Sequence, residues 1–250
     1  FIPFMIEKMD RKAQTLKGAL LLIALGGLVS FLIWKISDNM SSAIIIGGIA
    51  VAVVFIVSRR VWPYLLMGGL GAVGIAAFVH FVISGMENSE NFRFRRVIAW
   101  LNPEKYASDL AYQTMQALYA IGSGGLFGKG LGNSTQKMVL PEAQNDMIFS
   151  IICEELGIFG VCIVMVLFVM LLYRLLVIAE NAPDLYSSLM VTGIFAHIAI
   201  QVVLNIAVVT NTIPNTGVTL PFISYGGTSI LFLMAEMGLA LGVSRRIEWE

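Results

Sequence analysis

Four carboxylates, Glu142, Asp146, Glu154 and Glu155, fall in one stretch, LPEAQNDMIFSIICEELG, at residues 140–157. The first two lie in a polar run, and the last two lie in the apolar run that continues it without a break. A carboxylate partly withdrawn from water binds its proton more tightly, so Asp146, with Glu142 one turn earlier, has the chemistry of a general base at a rim. Asn145 and Asp146 also stand where a helix N-cap belongs, just before MIFSII, and capping is the structural alternative. Glu154 and Glu155 would sit about 12 to 14 Å further along the same helix. Acids at membrane depth are costly and face a bundle interior or a water-filled cavity. The plainer alternative is a buried pair with a basic partner from a helix that the chain does not contain.

Cations precede these acids at Arg93, Arg95, Arg96, Lys105, Lys129 and Lys137. Arginine forks and lysine point charges suit phosphate oxygens, which makes an anion site for a phosphorylated lipid one reading. A solvated basic surface, or contact with anionic headgroups, is the other. Between the cations, YQTMQALYAIG has the apolar spacing of a short amphipathic helix at the membrane interface, and it carries Gln113. GSGGLFGKGLG follows, with glycines at 122, 124, 125, 128, 130 and 132. Glycine lets backbone approach a ligand closely, so a phosphate cradle is one reading. Neither P-loop spacing nor GxGxxG is present, and a flexible turn is the alternative.

Three further features carry polar groups. His197, Gln201 and Asn205 recur at i, i+4 and i+8, a stripe that suits knitting transmembrane helices together. A lone histidine with two amides is a poor metal site. Glu236 is an intramembrane acid with no partner visible in the sequence. TIPNTGVTLPFISYGGTS sets Ser224 and Tyr225 among Pro214, Gly217, Pro221, Gly226 and Gly227, which predicts a rigid re-entrant or broken segment.

The elements that must position these residues are membrane helices. The chain is 58% hydrophobic and 13% charged, against about 25% charged in soluble domains. Six apolar runs, near 17–36, 41–57, 64–84, 147–173, 187–209 and 226–243, reach the roughly 17 to 25 residues that a helix needs to cross a bilayer. No barrel-type alternation appears, so the expected fold is all-α and integral to the membrane, a single polytopic domain over 1–250. Basic clusters at Lys8 to Lys17, Arg59 and Arg60, Arg174, and Arg245 and Arg246 fall on one side if the six spans alternate. That side should be cytoplasmic, which puts the loop near Ser37, the long loop 85–146 and the loop 210–225 outside. A loop of about 60 residues is more often functional than idle. Cys153 and Cys162, nine residues apart, would point to opposite faces of one helix at about 100° per residue and cannot pair with each other. Lys and Arg balance Asp and Glu at 16 each, which gives no hint of a nucleic-acid partner. FIPFMIEKMDRK at the start is not a signal peptide and reads as the tail of an earlier helix, as in a fragment of something longer.

TGVTLPFISYGGTS resembles the C-terminal signature of the SEDS proteins (shape, elongation, division and sporulation), the FtsW/RodA/SpoVE family. LPEAQNDMIFSIICEELGIFG is similar to that family's other diagnostic block, and RRVIAWLNPEKYASDLAYQTMQALYAIGSGGLFGKGLGNSTQK resembles the segment leading into it. The likeness runs over nearly the whole chain, and GNSTQK before LPE leans towards the FtsW/SpoVE branch. The resemblance implies a ten-helix peptidoglycan glycosyltransferase of the bacterial cytoplasmic membrane, of which these would be the last six helices. It would polymerise lipid II at the outer face, for division, elongation or sporulation. Its partners would be a class B penicillin-binding transpeptidase and other divisome or elongasome membrane proteins.

The family's essential acid falls on the aspartate just ahead of Ile148 and Phe149, here Asp146. Glu142, Arg93, Arg96, Lys129, Lys137, Gln113, Ser224 and Tyr225 form the expected substrate-binding set, with Mg or Mn as the divalent cation considered. Glu154, Glu155, His197, Gln201, Asn205 and Glu236 are expected to support them structurally. The chain departs from the family pattern at Ser37-Asp38-Asn39, where Gln-Pro-Asp is frequent, and at Cys153, Ala207 and Thr228. A lipid II flippase and a non-catalytic scaffold for a transpeptidase are the rival readings.

Overall fold

The computed structural model describes residues 1–9, 12–58, 61–85 and 92–248. Among these residues the chain forms nine α-helices and no strand. Five helices are long and apolar enough to cross a membrane: α2 (Leu16–Ser37), α3 (Met40–Val57), α7 (Ile148–Glu180), α8 (Leu185–Val209) and α9 (Gly227–Ser244). They coincide with five of the six expected spans. The sixth, expected over 64–84, coincides with α4 (Trp62–Gly85), some of whose side chains lie outside the described residues. Arg11, Arg59 and Arg60, used above to orient the spans, lie outside them too.

The chain forms two compact units. The first comprises Phe1–Trp62, Val166–Val202 and Gly226–Glu250. Here α1 (Ile2–Met9) packs Ile6 with Leu22, Val53, Val54 and Leu189 into an apolar core. The α2–α3 hairpin turns through Asp38, at φ 54°, and Asn39, which caps α3 by accepting from Ser42 N at 3.1 Å. Small residues let the pair approach closely, since a Cβ on Gly26 would lie 2.4 Å from that of Ala50. Asp184 caps α8, accepting from Ser187 N at 2.8 Å, and Arg246 donates to Ser187 Oγ at 2.5 Å. His197 Nδ1 meets both carboxylate oxygens of Glu236, at 2.9 and 3.0 Å. The acid that lacked a partner in the sequence therefore joins α9 to α8.

The second unit comprises Pro63–Met165 and Val203–Tyr225. Much of the stretch expected as a long loop is helical in it: α5 (Phe92–Leu101), α6 (Tyr112–Gly124) and a 3-10 turn at Gln136–Met138. The helix expected over 112–122 is α6, which buries Thr114, Met115, Ala117 and Ala120.

The largest difference from expectation is in α7. The apolar run reads as one unbroken helix, yet Gly157 sits at φ 64° and ψ −168°, a conformation open essentially only to glycine. A break in a membrane helix leaves backbone groups that must be satisfied from elsewhere. The glycine-rich segment after α6 does this. Lys129 N and Gly130 N donate to the carbonyls of Glu154 and Glu155, both at 2.9 Å. Ile158 N and Phe159 N donate to the carbonyls of Gly125 and Leu126, at 3.0 and 3.1 Å. These are the four groups that would otherwise bond one another across the break in i→i−4 fashion. Backbone this close leaves no room for Cβ atoms: one on Gly124 would lie 2.0 Å from the Cys153 carbonyl oxygen, and one on Gly128 2.2 Å from that of Glu155. The segment is thus neither a flexible turn nor an open cradle. It is a strap fastened to a broken helix.

Candidate active site

Every site residue described below belongs to the second unit. Glu154 is fully buried at the break in α7. Its Oε1 accepts from Lys129 Nζ at 2.5 Å, Thr135 Oγ1 at 2.8 Å, Ser123 Oγ at 3.2 Å and Thr135 N at 3.3 Å. Its Oε2 accepts from Ser134 Oγ and, at 3.2 Å, from Gln136 N. The basic partner expected from a helix outside the chain is therefore Lys129 of this chain. An ion pair of this kind holds its surroundings chiefly because losing one partner would strand a buried charge. The lysine read as a phosphate ligand is engaged at Glu154, with Thr135 Oγ1 a further 3.1 Å contact.

Asp146 stands two residues before α7 and is half-buried. Its Oδ1 accepts from Gln113 Nε2 of α6 at 3.3 Å, rather than capping the first turn of α7. Gln113 also donates to the Pro141 carbonyl at 3.2 Å and accepts from Asn215 Nδ2 at 3.0 Å. Behind Asp146, Asn205 Nδ2 donates to the carbonyls of Asp146 and Val218, each at 2.7 Å. The last residue of the polar stripe on α8 is therefore a brace for this turn.

The segment 212–225 closes the turn from the other side. Ser224 Oγ accepts from Leu220 N at 2.7 Å and donates to the Asn145 carbonyl at 2.6 Å, while Tyr225 N donates to the Gln144 carbonyl at 2.8 Å. Ser224 is buried, and Tyr225 is 76% exposed. Glu142 is exposed, with a φ of 52°, and accepts from Asn145 Nδ2.

Burial pushes the Asp146 carboxyl above the ordinary aspartate range, and the nearby Glu142 charge adds to the rise. Its own backbone N–H, the Gln113 amide and the Arg96 guanidinium act in the opposite direction. A pocket of about 110 Å³ opens beside Gln113, lined by Arg96, Ala99, Trp100, Asn211 and Asn215 among others. Trp100 Nε1 ties α5 to the segment after α8 by donating to the Asn211 carbonyl at 2.9 Å. Lys137 lies exposed on the 3-10 turn, and the side chain of Arg93 lies outside the described set. Among the described residues, no three His, Cys, Asp or Glu side chains gather as metal ligands.

The structure brings Asp146, Gln113, Asn205 and Ser224 together, while His197, Gln201 and Glu236 belong to the first unit. Sequence reasoning missed Asn215. Its one signal is a place between Pro214 and Gly217, where an asparagine commonly bonds its own backbone two residues on.

The chain matches the family model described as cell cycle protein, which covers FtsW, RodA and SpoVE, over residues 2–248. Stage V sporulation protein E of Bacillus subtilis is 42% identical over 217 residues, or 86% of this chain and 57% of that protein. A probable peptidoglycan glycosyltransferase FtsW of Coxiella burnetii is 38% identical over 243 residues, or 95% of this chain and 61% of that protein. The chain thus spans about three-fifths of the length of these curated relatives. Among solved structures, a peptidoglycan synthase complex described for its coordination of polymerization and crosslinking aligns with a TM-score of 0.75 at 26% identity, covering all of this chain and 67% of that one. Rod shape determining protein RodA of Thermus thermophilus aligns with a TM-score of 0.58 at 27% identity, over 93% of this chain and 58% of that one. With its several apolar helices, this is a multi-pass membrane protein that belongs to the FtsW/RodA/SpoVE family of cell cycle proteins.

Proposed function

We propose that the protein polymerises lipid II into peptidoglycan glycan strands, with Asp146 as the general base. The observation that carries this reading is a half-buried carboxylate, raised in pKa yet aimed by Gln113 and braced by Asn205, beside a pocket that Arg96 lines. The names of the FtsW relative and of the peptidoglycan synthase complex support the substrate class.

Asp146 takes the proton of a sugar hydroxyl on one lipid-linked disaccharide. The freed oxygen attacks the anomeric carbon of another, and the lipid diphosphate leaves from the opposite face with inversion. Arg96 and Lys137, with Arg93, offset the charge that gathers on the leaving diphosphate. A divalent cation, Mg or Mn, belongs to the proposal only as a companion of that diphosphate. The described residues offer it no three-ligand site, and no step above passes through it.

In this reading the site faces the outside of the bacterial cytoplasmic membrane, in keeping with the basic clusters of the other loops. A class B penicillin-binding transpeptidase is the proposed partner, in keeping with the coupling of polymerization and crosslinking named for the structural relative.

The test is lipid II polymerisation by the purified protein at its full natural length, with the partner supplied. Asp146→Asn should lower the rate by about 10²- to 10⁴-fold while expression and membrane insertion stay normal. Polymer made by Asp146→Asn at the wild-type rate would remove the base assignment. Lipid II crossing the bilayer with no polymer formed would favour a transporter.

A further inference from the structure

Three donors point in one direction at Asp146. The far end of the row admits one assignment only. The Gly217 backbone N–H can only donate, and it donates to Asn215 Oδ1 at 2.9 Å. The other end of that amide, Asn215 Nδ2, is then left to donate to Gln113 Oε1, at 3.0 Å. Gln113 in turn presents Nε2 to Asp146 Oδ1. Turned end for end, the Gln113 amide would aim its carbonyl oxygen at the carboxylate and its NH₂ at the NH₂ of Asn215, two like-facing contacts. Gly217 holds the start of the row at φ 69°, which favours glycine, and hydrogen bonds in series polarise one another in one direction.

We infer that Asn215 is a positioning residue that acts through Gln113, fixing which end of that amide faces the Asp146 carboxylate. The inference rests on the role proposed above for Asp146 and extends it to a residue that does not touch the carboxylate. Without Asn215, nothing would hold the Oε1 end of Gln113, and the amide would be oriented through Nε2 alone, by the Asp146 carboxylate at 3.3 Å and the Pro141 carbonyl at 3.2 Å on the exposed side. The other groups acting on Asp146 are the charges of Glu142, on the preceding turn, and Arg96, on α5. The uncharged Asn205 of α8 holds its backbone.

The test reads protonation of Asp146 directly, by infrared difference spectra of each variant against its Asp146→Asn counterpart across pH, with polymerisation rates alongside. Asn215→Ala should move the Asp146 titration midpoint upward, move the acid limb of the rate profile with it, and lower kcat by about tenfold, leaving KM for lipid II little changed. In a Gln113→Ala background the same substitution should move neither, because the two residues act as one unit. An unmoved midpoint, or an equal shift with and without Gln113, overturns the relay even where Asp146→Asn is inactive. If the wild type made no polymer, the base assignment would fall, and the midpoint would still decide the relay.

Discussion

Asp146 is subject to two opposed influences. Burial and the Glu142 charge favour its protonated form, whereas Gln113 and Arg96 favour the anion. The rise wins, and its sign fixes two outcomes. A base works only when deprotonated, so the polymerisation rate should fall on acidification at a higher pH than an ordinary aspartate would give; a rate profile across pH shows it. For stability the sign reverses. A raised carboxyl pKa means that the folded protein binds the proton more tightly than the unfolded chain, so Asp146 weakens the fold as pH rises from the ordinary aspartate value through its own raised one. Asp146→Asn should therefore melt at or above the wild-type temperature at neutral pH, with the difference vanishing in acid. A variant that loses activity without losing stability separates chemistry from folding.

At the scale of elements, the strap on α7 accounts for glycines that composition alone could not sort. Gly128 and Gly132 both have positive φ, 74° and 80°. They differ in surroundings, since a Cβ on Gly128 would strike the Glu155 carbonyl while Gly132 has open space. Gly132→Ala should cost about 1 to 2 kcal/mol, the penalty of a left-handed residue alone. Gly128→Ala should cost clearly more, because the strap must lift from the break; melting of both variants in detergent gives the comparison. The sequence shows six glycines in this segment but not which of them meet backbone. The break at Gly157 is hidden for a similar reason, because a hydrophobic run keeps its composition across a kink whose hydrogen bonds are supplied from 25 to 33 residues earlier.

Across the whole molecule, the places of five membrane spans were legible, because such spans are set by runs of apolar residues. Asp146 stands out in the sequence as a candidate, from its place at a polar-to-apolar boundary. That Gln113, Asn205 and Ser224 meet at its turn, and that Asn215 joins them, was not legible, since polar side chains have no spacing rule and pair by tertiary contact. Away from the site, the capped start of α8 titrates in the opposite sense to Asp146. The Ser187 N–H and hydroxyl, with the Arg246 charge, hold Asp184 below the ordinary aspartate range. Its contribution should be present at neutral pH and fade as pH falls through that lowered value, so melting curves of wild type and Asp184→Asn should converge in acid. The distances along the chain have a further consequence. Asp146 is braced by Asn205, 59 residues later, and its Gln113 is oriented by Asn215, 102 residues after Gln113 itself. At a synthesis rate of about 5 to 20 residues per second, the ribosome adds Asn215 some 5 to 20 s after Gln113. A nascent chain therefore makes its acid before it can hold that acid in place, and the site is completed only as the segment carrying Asn215 arrives.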